Sequence, residues 1–225
     1  AFQYINKKTN AYWGSEISKK VLEDFKKNSI IKKFYNSKKD KNMDVLSSLL
    51  SKGKIVAYCY GPMEFGSRAL GHRSFLCDPS NIDAKNKLNN LIKKRDFWMP
   101  FTPSILEEDY NKYIKNPKKN DSRYMTMAFN TTKLGMEKLK AAVHPADFTV
   151  RPQLVNANVC PKYNLLLKKF KKKSGIGALL NTSLNLHEKP IINKPTDIVK
   201  ELIEIGNYYL EYIYIHDTIY FLKKK

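Results

Sequence analysis

At 225 residues, with 42% hydrophobic and 12% aromatic content, the chain is long enough for one packed core and too apolar for a disordered polymer. No run of about 18 uncharged apolar residues exists, which excludes a membrane-spanning helix. The formal net charge of +20 invites a nucleic-acid reading, but only five of the 41 basic residues are arginine, and the lysines crowd into polar stretches at 38–42, 115–120 and 168–173. Such runs describe solvated faces better than a shaped binding groove and weigh against nucleic acid. The same lysine bias singles out the arginines: where any positive charge suffices lysine serves, so Arg68, Arg73, Arg95, Arg123 and Arg151 rank as positions needing a planar five-donor fork.

Cys59, Cys77 and Cys160 form neither a CxxC pair nor a Cys/His cluster, so a disulfide framework and structural zinc are not expected, and a reducing cytoplasm is the expected setting. The opening Ala1-Phe-Gln-Tyr-Ile5 has no initiator methionine and no leader, and reads as the interior of a longer polypeptide.

In chain order, residues 1–42 read as a peripheral arm and linker: a helical stripe (Ile17, Val21, Phe25) over 16–35, then a charged linker. Residues 43–225 read as the domain proper. A short helix over 43–51 closes at Gly53. Lys54-Ile-Val-Ala-Tyr-Cys-Tyr60 predicts a buried strand leading into Gly61-Pro-Met-Glu-Phe-Gly-Ser-Arg-Ala-Leu-Gly-His-Arg-Ser74. Those glycines and arginines suit a backbone that approaches an anion, although the spacing is neither a Walker A loop nor GxGxxG. Ser80 with Asp83 predicts a capping box for a helix whose stripe is Ile82, Ala84, Leu88, Leu91 and Ile92. It delivers Lys93-Lys-Arg95 into the aromatic Asp96-Phe-Trp-Met-Pro-Phe-Thr-Pro-Ser104, a setting suited to a stacked base and gripped phosphates.

Residues 107–121 read as a polar excursion, 124–129 as a strand and 136–142 as a short helix. Residues 148–155 read as one strand placing Thr149, Arg151 and Gln153 on one side. Pro161 begins a helix with Tyr163, Leu166, Leu167 and Phe170 inward, ending at Gly175. A strand over 176–180 exits into Asn181-Thr-Ser-Leu-Asn185, at the carboxyl end where α/β proteins tend to bind ligands. Thr196 caps a helix through Ile205 that Gly206 terminates, and two strands over 208–222 break near His216 and Asp217. The interleaving predicts a mixed α/β (α+β) domain. His72, His144, His187 and His216 lack metal-ligand spacing, so no metal-binding residue is expected.

Taken together, these segments resemble the C-terminal domain of NodU/CmcH-type O-carbamoyltransferases. The resemblance rests on residues 61–74 as quoted, Asp78-Pro79, Ile92-Lys-Lys-Arg95, Pro100-Phe-Thr-Pro103, Thr149-Val-Arg-Pro-Gln153, Leu180-Asn-Thr-Ser-Leu-Asn185 and Pro190-Ile191, in order and spacing over about 44–222. Two departures are Ser67 for the usual proline and Met99 where many members carry arginine. The resemblance implies a YrdC-like twisted sheet with flanking helices, whose K-x-R and S-x-N signature maps onto Lys93, Arg95, Ser183 and Asn185. It implies ATP and carbamoyl phosphate as ligands, with Mg2+, and formation of carbamoyl-adenylate. Lys93, Arg95 and Ser183 would serve the chemistry, and Arg68, Arg73, Arg151 and Asn185 would hold phosphate oxygens. It further implies an N-terminal domain of the same polypeptide, holding a further metal and the acceptor hydroxyl, that transfers the carbamoyl group. The alternative is a basic YrdC-like RNA-binding module related to tRNA threonylcarbamoylation.

Overall fold

A computed structural model describes residues 10–94, 99–204 and 210–223. Among these residues eight strands form one mixed sheet in the order β1-β11-β10-β2-β3-β9-β4-β8: β1 (Tyr35–Lys39), β2 (Val56–Cys59), β3 (Arg73–Cys77), β4 (Thr102–Leu106), β8 (Gln153–Val155), β9 (Ala178–Ser183), β10 (Tyr212–Ile215) and β11 (Thr218–Leu222). Only the β10–β2 and β4–β8 pairs are parallel. Three short strands, β5 (Ile114–Lys115), β6 (Phe129–Thr131) and β7 (Thr149–Val150), make a second antiparallel sheet.

The central strands are buried at nearly every position because both faces of the large sheet are covered. Val56, Tyr58, Leu76 and Tyr214 join one core beneath α3 (Asp44–Ser51) and α7 (Pro161–Ser174). Their neighbours Ala57, Phe75, Ile213 and Ile215 join a second core, which includes Phe25 of α1 (Lys19–Lys27), Ile31 of α2 (Ser29–Phe34) and Ala84 of α4 (Ile82–Lys87). Helix α7 follows the sequence expectation: Pro161 starts it, Gly175 ends it at φ +76°, and Tyr163, Leu166, Leu167 and Phe170 are all buried.

Several expectations are corrected. The peripheral arm is not peripheral along its described length, since Phe25 and Ile31 are core and the supposed linker is β1, hydrogen-bonded to β11. Its lysines are those of a sheet edge, where charge deters further strand pairing and hides the strand from a hydropathy reading. Asn81, not Ser80, caps α4, accepting from Ala84 N at 2.9 Å, while Ser80 turns back to Asp78; Ile82 at the helix start is exposed. The helix then widens into a π-helical stretch, Leu88–Lys93. The single strand over 148–155 is split between the two sheets as β7 and β8, with Arg151 and Pro152 at the crossing, because proline cannot donate to a ladder.

The 124–129 strand begins only at Phe129, and the helix expected over 136–142 is α6 (Lys133–Lys138), capped by Thr132. The polar excursion buries Asp109, which Lys112 and Lys171 hold at 2.7 and 2.6 Å, and Tyr110 and Tyr113 of the helix α5 (Tyr110–Tyr113). Helix α8 (Pro195–Asp197) starts at Pro195 rather than at a Thr196 cap, with Asp197 accepting from the N–H groups of Asn193 and Lys194, and continues as Ile198–Glu204. Gly206 lies outside the described residues. The break between β10 and β11 falls at His216 and Asp217, both at positive φ as a two-residue hairpin turn requires.

Candidate functional site

The segment joining β2 to β3 is folded around one carboxylate. Glu64, 2% exposed, directs Oε1 at the backbone N–H groups of Leu70 (2.7 Å), His72 (2.7 Å) and Arg73 (3.1 Å). Carbonyls of the same loop are held from the sheet: Gln153 Nε2 donates to Leu70 O at 2.7 Å, and Asn181 Nδ2 donates to Ala69 O at 3.1 Å. Gly71 is required where it stands, at φ +97° with the Tyr163 ring 2.3 Å from the place a Cβ would occupy. His72 is stacked on Tyr12 with ring centroids 4.1 Å apart and has Nδ1 2.6 Å from Pro62 O. Burial lowers its pKa below the ordinary imidazole value, against the opposing pull of Glu64.

This scaffold leaves Arg68 exposed at the rim of a cleft. Arg151, brought in by the crossing between the two sheets, lines the same cleft, together with Ser67, Thr102, Asn181 and Ser183. Burial, reinforced by the positive charge of Arg68, lowers the pKa of Arg151. Among the described residues no carboxylate pairs with either guanidinium and none lines the cleft. Two arginines converging without a counter-charge among the described residues give the cleft a positive lining of a kind suited to an anion.

Beside it, Lys93, 3% exposed, closes the exit of β9. Its ammonium lies 2.8 Å from Ser183 O, 3.2 Å from Ser183 Oγ, 3.0 Å from Asn185 O and 2.5 Å from Asn185 Oδ1. Ser183 Oγ also donates to Asn185 Oδ1 at 2.7 Å. The structure therefore brings Lys93, Ser183 and Asn185 into one cluster, and Ser183 joins that cluster to the arginine cleft. Arg95 lies outside the described residues.

Arg73 is the exception and corrects the expectation of a phosphate ligand. It is fully buried, and its guanidinium donates to Tyr60 O, Gly61 O and His72 O at 3.0 Å, Asn193 O at 2.9 Å and Ser15 O at 3.4 Å. Five carbonyls surround its fork, three of them sharing the two Nη1 protons, so it ties loops together. Arg123 makes a surface ion pair with Asp121 at 2.6 Å.

Sequence reasoning missed Glu64, Asn181 and the Ser104–Gln153 pair that underpin the cleft. A lone carboxylate in a glycine-rich loop bound for an anion was the available signal for Glu64; Asn181 was quoted within its motif without a role. Among the described residues no group of three or more His, Cys, Asp or Glu is placed to hold a metal. The cleft's donors fit an anion, not a protein-held Mg2+; a divalent ion would have to enter on the phosphates of a ligand.

A family model described as carbamoyltransferase C-terminus matches residues 47–221. The chain is 38% identical over 195 residues to the uncharacterized protein MJ1058 of Methanocaldococcus jannaschii, covering 86% of this chain and 32% of that one. It is 33% identical over 156 residues to a 3'-hydroxymethylcephem-O-carbamoyltransferase of Amycolatopsis lactamdurans, covering 69% of this chain and 29% of that enzyme. The chain thus spans about a third or less of these relatives. Among solved structures, full-length HypF in its phosphate- and nucleotide-bound form aligns with a TM-score of 0.52 at 20% identity, over 71% of this chain and 23% of HypF. That likeness establishes the fold as YrdC-like.

Proposed function

The chain belongs to the carbamoyltransferase C-terminus family, and from that membership we propose that its arginine cleft binds ATP and carbamoyl phosphate and forms carbamoyl-adenylate. Hydrolysis of carbamoyl phosphate releases phosphate and carbamate. A carbamate oxygen then attacks the α-phosphorus of ATP, the bond to the β-phosphate oxygen breaks, and pyrophosphate leaves. In this reading an N-terminal domain of the same polypeptide, outside this chain, transfers the carbamoyl group to a hydroxyl.

The observation that carries this reading is the convergence of Arg68 and Arg151 on a cleft lined by Ser183 and, among the described residues, without a carboxylate. Phosphoryl transfer asks chiefly for positioning and charge neutralisation, so donors alone suffice and no general-base constellation is needed. In this reading Arg68 and Arg151 hold phosphate oxygens, and the Ser183 hydroxyl turns its proton from Asn185 Oδ1 to phosphate or carbamate when a ligand binds. Lys93 keeps the Ser183 and Asn185 side chains in place, with Arg95 assigned to phosphate on the family resemblance. Mg2+ arriving on the nucleotide would neutralise phosphate charge. The full-length HypF structure, of like fold, is a phosphate- and nucleotide-bound form, which supports a nucleotide here.

The test is exchange of labelled pyrophosphate into ATP. Exchange that depends on carbamoyl phosphate and drops at least tenfold in Arg68→Ala is expected; binding of tRNA without binding of ATP would favour an RNA-binding module instead.

A further inference from the structure

Asn181 holds an unused acceptor at the anion cleft. The residue is fully buried on β9, in register with Leu76 on one side and Thr102 on the other. The orientation of its amide is forced. Ala69 O, 3.1 Å away, can only accept, so Nδ2 must face it. The second N–H goes to Ser104 Oγ at 3.0 Å, whose own proton is given to Gln153 Oε1 at 2.7 Å. The donor side of Asn181 is thus fixed by the framework, while Oδ1 is buried without a hydrogen-bond partner among the described residues. Buried acceptors are rarely left unmade, and this one sits on a residue that lines the cleft but is closed to solvent here, so a ligand donor reaches it only by displacing its cover.

The guanidinium groups of Arg68 and Arg151 are pure donors with no acceptor capacity, whereas the hydroxyls of Ser67 and Thr182 both donate and accept, and Ser183 gives its proton to Asn185 Oδ1. A ligand that completes this set needs anionic oxygens for the arginines and an N–H for Asn181. We infer that Asn181 is the specificity-determining residue of the cleft, accepting a hydrogen bond from the amino group of the carbamoyl moiety and so selecting it over acyl groups without an N–H. The inference rests on the proposed function, because it takes carbamoyl phosphate as the ligand. Acetyl phosphate is the discriminating analogue: a methyl replaces the amino group at nearly the same size, and binding it leaves Oδ1 orphaned. A site built around a hydrogen bond to its substrate rejects such analogues far better than a purely steric pocket does.

The experiment is competitive equilibrium binding to the intact chain with carbamoyl phosphate, acetyl phosphate and inorganic pyrophosphate, for the wild type and Asn181→Ala. The expected result is a wild-type preference for carbamoyl over acetyl phosphate of about tenfold or more, falling to within about twofold in the variant. The ratio is the readout, so a general weakening from the lost Ala69 contact does not mimic it. Should Asn181→Ala not fold, the wild-type ratio alone decides. Equal wild-type affinities, or an unchanged preference in the variant, overturn the role of Asn181 and leave the anion cleft standing. Pyrophosphate binding with neither acyl phosphate bound overturns both the inference and carbamoyl phosphate as ligand, and binding of none of the three overturns the cleft itself.

Discussion

The ammonium of Lys93 stands 2.5 Å from the side-chain oxygen of Asn185, joining the last turn after α4 to the exit of β9 across 92 positions of sequence. The same ammonium takes Ser183 O, Ser183 Oγ and Asn185 O, so one buried charge fixes the shape of a whole turn. Removing it leaves carbonyls that were folded around a cation. Lys93→Met should therefore destabilise the chain by about 2–4 kcal/mol, read as a lower urea midpoint at unchanged slope. A change below about 0.5 kcal/mol would mean that the turn is held by other contacts.

Arg68 and Arg151 oppose each other in the folded chain, and in the proposed reading their value lies in binding. Arg68→Ala should leave the thermal midpoint unchanged or slightly higher at low ionic strength, with the difference fading in high salt. A clear loss of stability on this substitution would show that Arg68 has a structural partner and would weaken the anion-site reading.

Glu64 gathers three backbone N–H groups onto one oxygen. Glu64→Ala should cost about 3 kcal/mol or more in denaturant unfolding, because three buried donors lose their acceptor together. Glu64→Gln, which keeps a neutral acceptor oxygen, should lose less. Equal losses would locate the effect in the negative charge rather than in the acceptor geometry.

His72 sets a pH dependence of definite sign. Its folded pKa lies below the unfolded value of about 6.5, so the unfolded chain takes up the proton first as pH falls. The neutral ring's full stability is therefore present above that value and lost as pH falls from it toward the lower folded pKa. Denaturation measured from pH 7.5 to 5 should show this loss, and His72→Gln should flatten that part of the profile. A profile identical in wild type and variant would contradict the assignment.

Much of the large sheet was legible because its strands carry long apolar runs and its turns carry glycine, as in Lys54-Ile-Val-Ala-Tyr-Cys-Tyr60 and at Gly175. Helix α7 was readable down to its four inward residues. Strand β1 was not, because an edge strand with four of its five residues exposed carries no alternation to detect. The split of 148–155 was hidden because two-residue β7 and three-residue β8 together imitate one strand.

At the site, the arginine ranking picked out Arg68 and Arg151, which line one cleft, and also Arg73, which is buried among carbonyls. A guanidinium fork satisfies carbonyls as well as phosphates, and only packing distinguishes the two. Lys93, Ser183 and Asn185 converge as the family resemblance implied. Glu64 and Asn181 act through backbone groups of a loop whose path no local pattern specifies.

Calorimetric titration of ATP into the chain tests the anion cleft most directly. One ATP per chain should bind, and replacing Arg68 and Arg151 together by alanine should weaken binding by about 100-fold or more. ATP binding that survives the loss of both arginines undiminished, or an absence of binding to the wild type, would contradict the account.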